Sequence, residues 1–154
     1  MCEDSLIEFV RQSWHVVEPA QEFVDGWVLQ AIAMHLEAVT DEEINRLLIN
    51  VPPGFMKSLV TDVFWPAWEW GPRNKPHMRY VCASHSLNLA IRDSVRMRRL
   101  VSSDWYQNLW GDRFALVEDQ NTKTRFQNDQ KGIRNTVSVG GATTGLGGNY
   151  LIGD

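Results

Sequence analysis

Apolar residues at Leu6, Phe9, Val10, Trp14 and Val17 recur at the three- and four-residue spacing of one helix face. Pro19 interrupts the pattern, and Val24, Trp27, Val28, Ala31, Ile32, Leu36 and Val39 predict a second helix. The stretch "TDEE" at 40–43 reads as a capped restart. From Leu47 to Val51 the chain is apolar except at Asn50 and stops at Pro52-Pro53-Gly54, which predicts a short strand buried on both faces. Lys57 to about Trp70 forms a further helix, which Pro66 would kink or end early.

The second half changes texture. "GPRNKPH" at 71–77 is a loop, and "MRYVCAS" at 78–84 a strand. A long helix follows from Ser86 to about Val101, with Leu87, Ala90, Ile91, Ser94 and Val95 expected inward. "SSDWYQNLWG" predicts a short helix closed by Gly111. "FALVED", "TKTRFQND" and "IRNTVSVGG" predict short strands between polar turns, and a glycine-rich loop over 140–148 leads into "NYLIGD". Helices and strands alternate, so the expected class is α/β with a central, mostly parallel β-sheet flanked by helices. A chain ending on a buried strand suggests a natural protein that continues.

Composition narrows the picture modestly. The 154 residues fit one domain, with 44% apolar and 22% charged residues and seven tryptophans to bury. A net charge of −4 gives no bulk attraction for nucleic acid, so any such contact needs a local basic stripe. Cys2 and Cys82 show no metal-ligand spacing and read as two free thiols in an intracellular protein. There is no signal-peptide pattern, and no apolar run approaches the ~18 residues of a membrane span.

Candidate chemistry centres on "NVPPGFMKSL", Asn50 to Leu59. A phosphate loop wraps backbone N–H groups around a phosphate, supplies a lysine to neutralise it and a Ser/Thr hydroxyl for Mg²⁺, and opens a helix. Lys57 and Ser58 keep the charge and the hydroxyl, but Val51 and Met56 stand where the pattern has glycines. From these residues alone two readings stand: a phosphate loop with altered glycines, or a proline turn that starts a helix. Asp154, after an apolar strand end, supplies the carboxylate that such a site needs for Mg²⁺. "SVGGATTGLGG" precedes a strand and carries Leu146 where a lysine is needed, so it reads as a connection near the site.

Taken together, "INVPPGFMKSL…FWPAWEW", "RYVCASHSLNLAIRDSVRMRRLV", "WYQNLWGDRF", "TRFQN" and "SVGGATTGLGG-NYLIGD" occur in an order that resembles the N-terminal ATPase domain of the large terminase subunit of tailed bacteriophages. The resemblance covers about Trp14 to the end. It implies a P-loop NTPase fold, with residues 1–45 as a helical lead-in and 46–154 as an ATPase core reaching the Walker B strand. Its members carry a proline-led loop. By the resemblance, Pro53, Gly54, Phe55, Met56, Lys57, Ser58 and Leu59 bind ATP, Ser58 and Asp154 hold Mg²⁺, and Lys57 and Asp154 are catalytic. The implied activity is ATP hydrolysis driving double-stranded DNA into a procapsid in the host cytoplasm. The implied partners are the small terminase subunit, the portal protein and further copies in a ring. The resemblance also places a catalytic acid just after Asp154 and a nuclease domain beyond it. The expectation for these residues is therefore nucleotide binding with weak or absent turnover. Two residue-level departures are Met56 and the lack of any arginine within 52–58.

Other residues carry paired readings. Arg92, Arg96 and Arg99 form one stripe of the long helix, with Arg98 to one side. The stripe is either a solvated face or a contact for DNA phosphate or a neighbour's ATP; Arg113, Arg125 and Arg134 are further candidates. By the resemblance Ser84 and His85 lie near the nucleotide, although a lone histidine after a strand is more often a helix-capping or packing residue. Trp65, Trp68 and Trp70 read first as core and second as adenine-stacking groups. Two other classes stay open: a different P-loop DNA translocase or helicase-like enzyme, and a nucleotide-binding assembly module without turnover.

Overall fold

Every residue from Leu59 to Trp70 is buried, so the helical run that follows the proline turn is surrounded on all sides. The structure is a computed structural model that describes residues 2–141 and 145–154. The run comprises α3 (Lys57–Leu59), a π-helical turn (Val60–Phe64) and α4 (Trp65–Trp70). Pro66 does not end it, because it falls in the first turn of α4, which continues to Trp70. Proline has no N–H to offer the Asp62 carbonyl four residues back, and the buried Arg134 guanidinium donates to that carbonyl instead. The wider π turn lies just before this position.

Around this axis pack α1 (Leu6–Val17) and α2 (Trp27–Thr40). The Ser5 hydroxyl caps α1 by accepting from the Glu8 N–H. Leu6, Phe9, Val10 and Trp14 point inward as the helical spacing predicts. Phe9 joins an aromatic cluster, with ring centroids 6.4 Å from Phe64 and 5.7 Å from Trp110. "TDEE" does not restart a helix: Thr40 is the last residue of α2 and Asp41 its C-cap, with Glu42 at φ 63° turning the chain away.

The sheet contains β1 (Arg79–Ser84), β2 (Leu116–Asn121), β3 (Arg125–Asn128), β4 (Ile133–Ser138) and β5 (Tyr150–Gly153), in the order β2-β3-β4-β1-β5. The expectation of a mostly parallel sheet is corrected. β4 and β5 both run parallel to β1, but β3 is antiparallel to β4 and β2 to β3. The connections at 122–124 and 129–132 are tight turns, and such turns can only reverse a strand; a parallel neighbour needs a crossover. α5 (Leu87–Ser102) and α6 (Asp104–Trp110) supply that crossover between β1 and the hairpins. α5 buries Ala90, Asp93, Ser94, Met97, Leu100 and Val101, whereas Leu87 is 42% exposed; the inward stripe is turned to include Asp93.

The strand expected over Leu47–Val51 is absent from the sheet. Burial alternates residue by residue there, as in an extended chain, but no ladder forms. A cavity of about 540 Å³ separates Leu47, Leu48 and Ile49 from Asn149–Asp154, so the segment has no strand to pair with. Leu48 is 83% exposed, contrary to burial on both faces. Cys2 and Cys82 are both free thiols. No helix among the described residues is long and apolar enough to cross a membrane.

Candidate functional site

The proline turn and the end of β5 meet. Neither Pro52 nor Pro53 has an N–H, and the chain then turns through two left-handed residues, Gly54 at φ 92° and Met56 at φ 57°. Met56 thus adopts the conformation that the glycine of a phosphate loop would take at little cost, and it does so with a side chain. The helical run begins with the Val60 N–H bonded to the Met56 carbonyl at 3.0 Å. Leu59 buries its side chain in the core, while Phe55 stays 44% exposed.

Lys57 and Ser58, the first residues of that run, both reach Asp154. The lysine Nζ is 3.0 Å from Oδ1, and the Ser58 hydroxyl donates to Oδ2. The Asp154 N–H bonds the Ala83 carbonyl at 2.8 Å, which fixes the end of β5 against β1. Partial burial works against the Asp154 charge. The Ser58 hydroxyl and the Lys57 ammonium outweigh it, with His85 adding to the positive surroundings, and hold the carboxyl below its ordinary value. Ser84 has a more local role: its Oγ accepts from the Ser86 N–H at 3.3 Å.

Two acidic residues that the sequence pattern did not single out lie beside Asp154. Carboxylate oxygens of Asp62, Asp93 and Asp154 fall within 4.8 Å of one another. Burial raises the Asp62 carboxyl to about 7; the Arg134 charge opposes this, while Asp154 and Asp93 reinforce it. Arg134 is fully buried. It serves as an internal counter-charge and a tie to the Asp62 carbonyl, not as a surface cation. Only its place in the fold reveals this, because "IRNTVS" gives no sign of which face the arginine takes. Asp93 was equally hidden, since an acidic residue in a helix reads as solvent-facing.

The arginine candidates divide clearly. Arg92 and Arg96 line a cavity of about 490 Å³ whose other walls are Val51 to Leu59. Arg113 is tied to the Pro72 carbonyl at 2.9 Å and to Glu3 at 3.1 Å. Arg98 bonds Asn121, away from the loop. Trp65, Trp68 and Trp70 are buried in the core, with each indole N–H bonded to a protein oxygen. The exposed aromatic groups near the loop are instead Phe55 and Trp27, which line a hollow of about 250 Å³ with Val24 and Met56. Within the glycine-rich loop, Ala142, Thr143 and Thr144 lie outside the described residues.

Lys57 and Ser58 share a cavity with Arg92 and Arg96, and such cationic and hydroxyl groups can bind an anion. The Ser58 and Asp154 oxygens are also donors of the kind that a hard divalent cation takes. Compared with protein-family models, curated proteins and solved structures, the chain matches none.

Proposed function

We propose that the chain is the ATPase motor domain of a viral large terminase subunit, a P-loop fold that binds ATP with Mg²⁺ to drive double-stranded DNA into a procapsid. The observation that carries this reading is the convergence of Lys57 and Ser58 on Asp154 across a sequence separation of 96 between serine and aspartate. The strand trio β4-β1-β5, all parallel, supports the reading by placing Asp154 beside the loop. Met56 supports it too, because the backbone takes the glycine conformation despite the substitution.

In this reading Lys57 neutralises phosphate charge, the backbone from Pro53 to Leu59 wraps it, and Ser58 and Asp154 hold Mg²⁺. The cation would supply electrostatic stabilisation of the transferred phosphoryl group. The small terminase subunit, the portal and a ring of further copies belong to the same proposal. Its test is ATP binding in the presence of Mg²⁺, comparing the unaltered chain with Lys57→Ala. Loss of binding in the variant is expected, and equal affinity would remove the phosphate-loop assignment. Hydrolysis stimulated by duplex DNA without strand separation would favour packaging over a helicase-like translocase.

A further inference from the structure

Two extended segments face each other across the cavity of about 540 Å³, and each carries a row of unpaired peptide groups. β5 is the last strand of the sheet and pairs with β1 alone. The Asp154 N–H bonds the Ala83 carbonyl. Peptide groups along a strand turn alternately to either side, so the N–H groups of Leu151 and Gly153 face away from β1. Across the cavity, among the described residues, no backbone N–H or C=O over 45–55 has a hydrogen-bond partner.

The two segments also share a pleat. Leu47, Ile49 and Val51 pack against the core from one side of the cavity, and Tyr150 and Ile152 from the other. Leu48 and Leu151 stand out on the opposite face, 83% and 77% exposed. Such matched alternation is what two strands of one sheet would show. Leu36, Val39 and Trp65 line the space between them and make it apolar. A small ligand would fill the volume but leave both rows of peptide groups unanswered. Only another backbone offers donors and acceptors at the strand repeat, about 4.8 Å from each neighbour.

We propose that this slot is the seat of a further, central β-strand, supplied by a segment of this protein's own polypeptide outside residues 1–154. Its place between two segments of the chain selects that source. A partner's peptide adds to the outer edge of a sheet. A strand bonded on both sides and covered on both faces belongs to the sheet's own interior. Because Leu48 and Leu151 flank the slot on the outer face, the strand it takes is a continuous apolar run, not an alternating one. Seated there, it joins the 47–51 segment to β5 in one sheet. The assignment holds whether or not the loop binds nucleotide.

Hydrogen exchange read by NMR tests it, comparing residues 1–154 with the longer chain that the natural gene encodes. In the longer chain, the N–H groups of Leu151 and Gly153 and those of the 47–51 segment should exchange slower by about tenfold or more. The peptide Lys-Val-Ile-Val-Ile-Lys serves as a strand probe. It should bind residues 1–154, slow the same two rows, and fail to bind the longer chain, whose slot is filled. Methylating alternate backbone nitrogens of the peptide should abolish its binding. Leu151→Pro removes a slot-facing N–H and no bond to β1, so it should bind the peptide about tenfold more weakly than Leu151→Ala. Circular dichroism melting checks that both variants fold. Fast exchange of both rows in the longer chain overturns the proposal, as does a gene that encodes nothing beyond these residues. Equal peptide binding by the two chains overturns it in favour of a partner's strand. Slow exchange of both rows in residues 1–154 alone overturns it too, showing that 47–51 closes directly on β5; protection that grows with protein concentration would assign the slot to a second copy instead. Nucleotide binding is read separately with Lys57→Ala, so either proposal can fail without the other.

Discussion

The Lys57 ammonium lies 3.0 Å from the Asp154 carboxylate, and the segment between them contains all five strands of the sheet. Asp154 therefore has two partners at once, the lysine and the Ser58 hydroxyl. Replacing it with asparagine should free Lys57 for an incoming anion. Asp154→Asn is expected to bind ATP without Mg²⁺ at least as well as the unaltered chain, but to gain nothing when Mg²⁺ is added. Titrations with and without the cation check this; a preserved Mg²⁺ gain would place the cation elsewhere.

The same pair makes a small, pH-dependent contribution to stability. Asp154 titrates below its ordinary value in the fold, so its contribution is present above the ordinary carboxylate range and is lost as pH falls through the folded value. Because both side chains are partly exposed, about 0.2–1 kcal/mol is expected. The difference in unfolding free energy between the unaltered chain and Asp154→Asn should be visible at neutral pH and close as pH falls below the ordinary carboxylate range.

Glu69 works in the opposite direction. It is fully buried, accepts from the Tyr80 hydroxyl at 2.9 Å and from the Tyr150 hydroxyl at 3.3 Å, and burial raises its carboxyl from 4.5 to about 7. The folded state then holds a proton that the unfolded chain releases. Its stabilising effect is full below the ordinary value and is lost as pH rises towards about 7. The melting temperature should fall between pH ~5 and ~8. Glu69→Gln, which mimics the protonated side chain, should flatten that fall, leaving the share due to Asp62, which shifts the same way. An unchanged slope in the variant would show that Glu69 is not the group responsible.

Met56 gives a backbone test. At φ 57° an L-residue is strained by roughly 1–2 kcal/mol, which glycine would relieve. Glycine would also lose the partly buried side chain and gain entropy in the unfolded chain, by ~0.5–1 kcal/mol. The opposing effects leave Met56→Gly within about 1 kcal/mol of neutral. Met56→Ile, β-branched in the same conformation, should destabilise and weaken nucleotide binding. Denaturant melts of the two variants decide; an isoleucine as stable as glycine would mean that the loop is not held left-handed.

Gly132 closes the β3–β4 turn. A Cβ there would meet the Pro76 carbonyl oxygen at 2.0 Å and the Asn128 amide nitrogen at 2.4 Å. Asn128 organises the turn, accepting from the Gly132 N–H at 2.8 Å and donating to Pro76 at 2.8 Å. Gly132→Ala should cost about 2 kcal/mol or more in a denaturant melt. A cost under ~0.5 kcal/mol would show that the turn relaxes without loss.

Much of this was legible in the chain. Periodicity located α1, α2, α5 and α6, because each has one apolar face and a clear stop such as Pro19 or Gly111. Lys57, Ser58 and Asp154 could be singled out because the chemistry of a phosphate site demands those groups after a strand or before a helix. Sheet direction was marked only by the short turns at 122–124 and 129–132, which force β2, β3 and β4 to alternate; the parallel expectation followed the helix–strand alternation of the first half instead. The apolar run Leu47–Val51 misled for a related reason: composition favours a strand, but a ladder requires a partner at the right distance. Asp62, Asp93 and Arg134 were invisible as a group because burial of a charge is decided by three separate elements meeting, here the π turn, α5 and β4.

The buried run from Leu59 to Trp70 has a consequence for how the molecule would respond to a ligand at the loop. Most binding loops belong to regions that open locally while the rest stays closed. Here the loop is spliced directly onto the most enclosed helix of the fold, so it has little freedom to open alone. Occupancy should therefore be felt as slower amide exchange along the tryptophan-rich helix, deep in the interior, and not merely at the rim where the ligand sits.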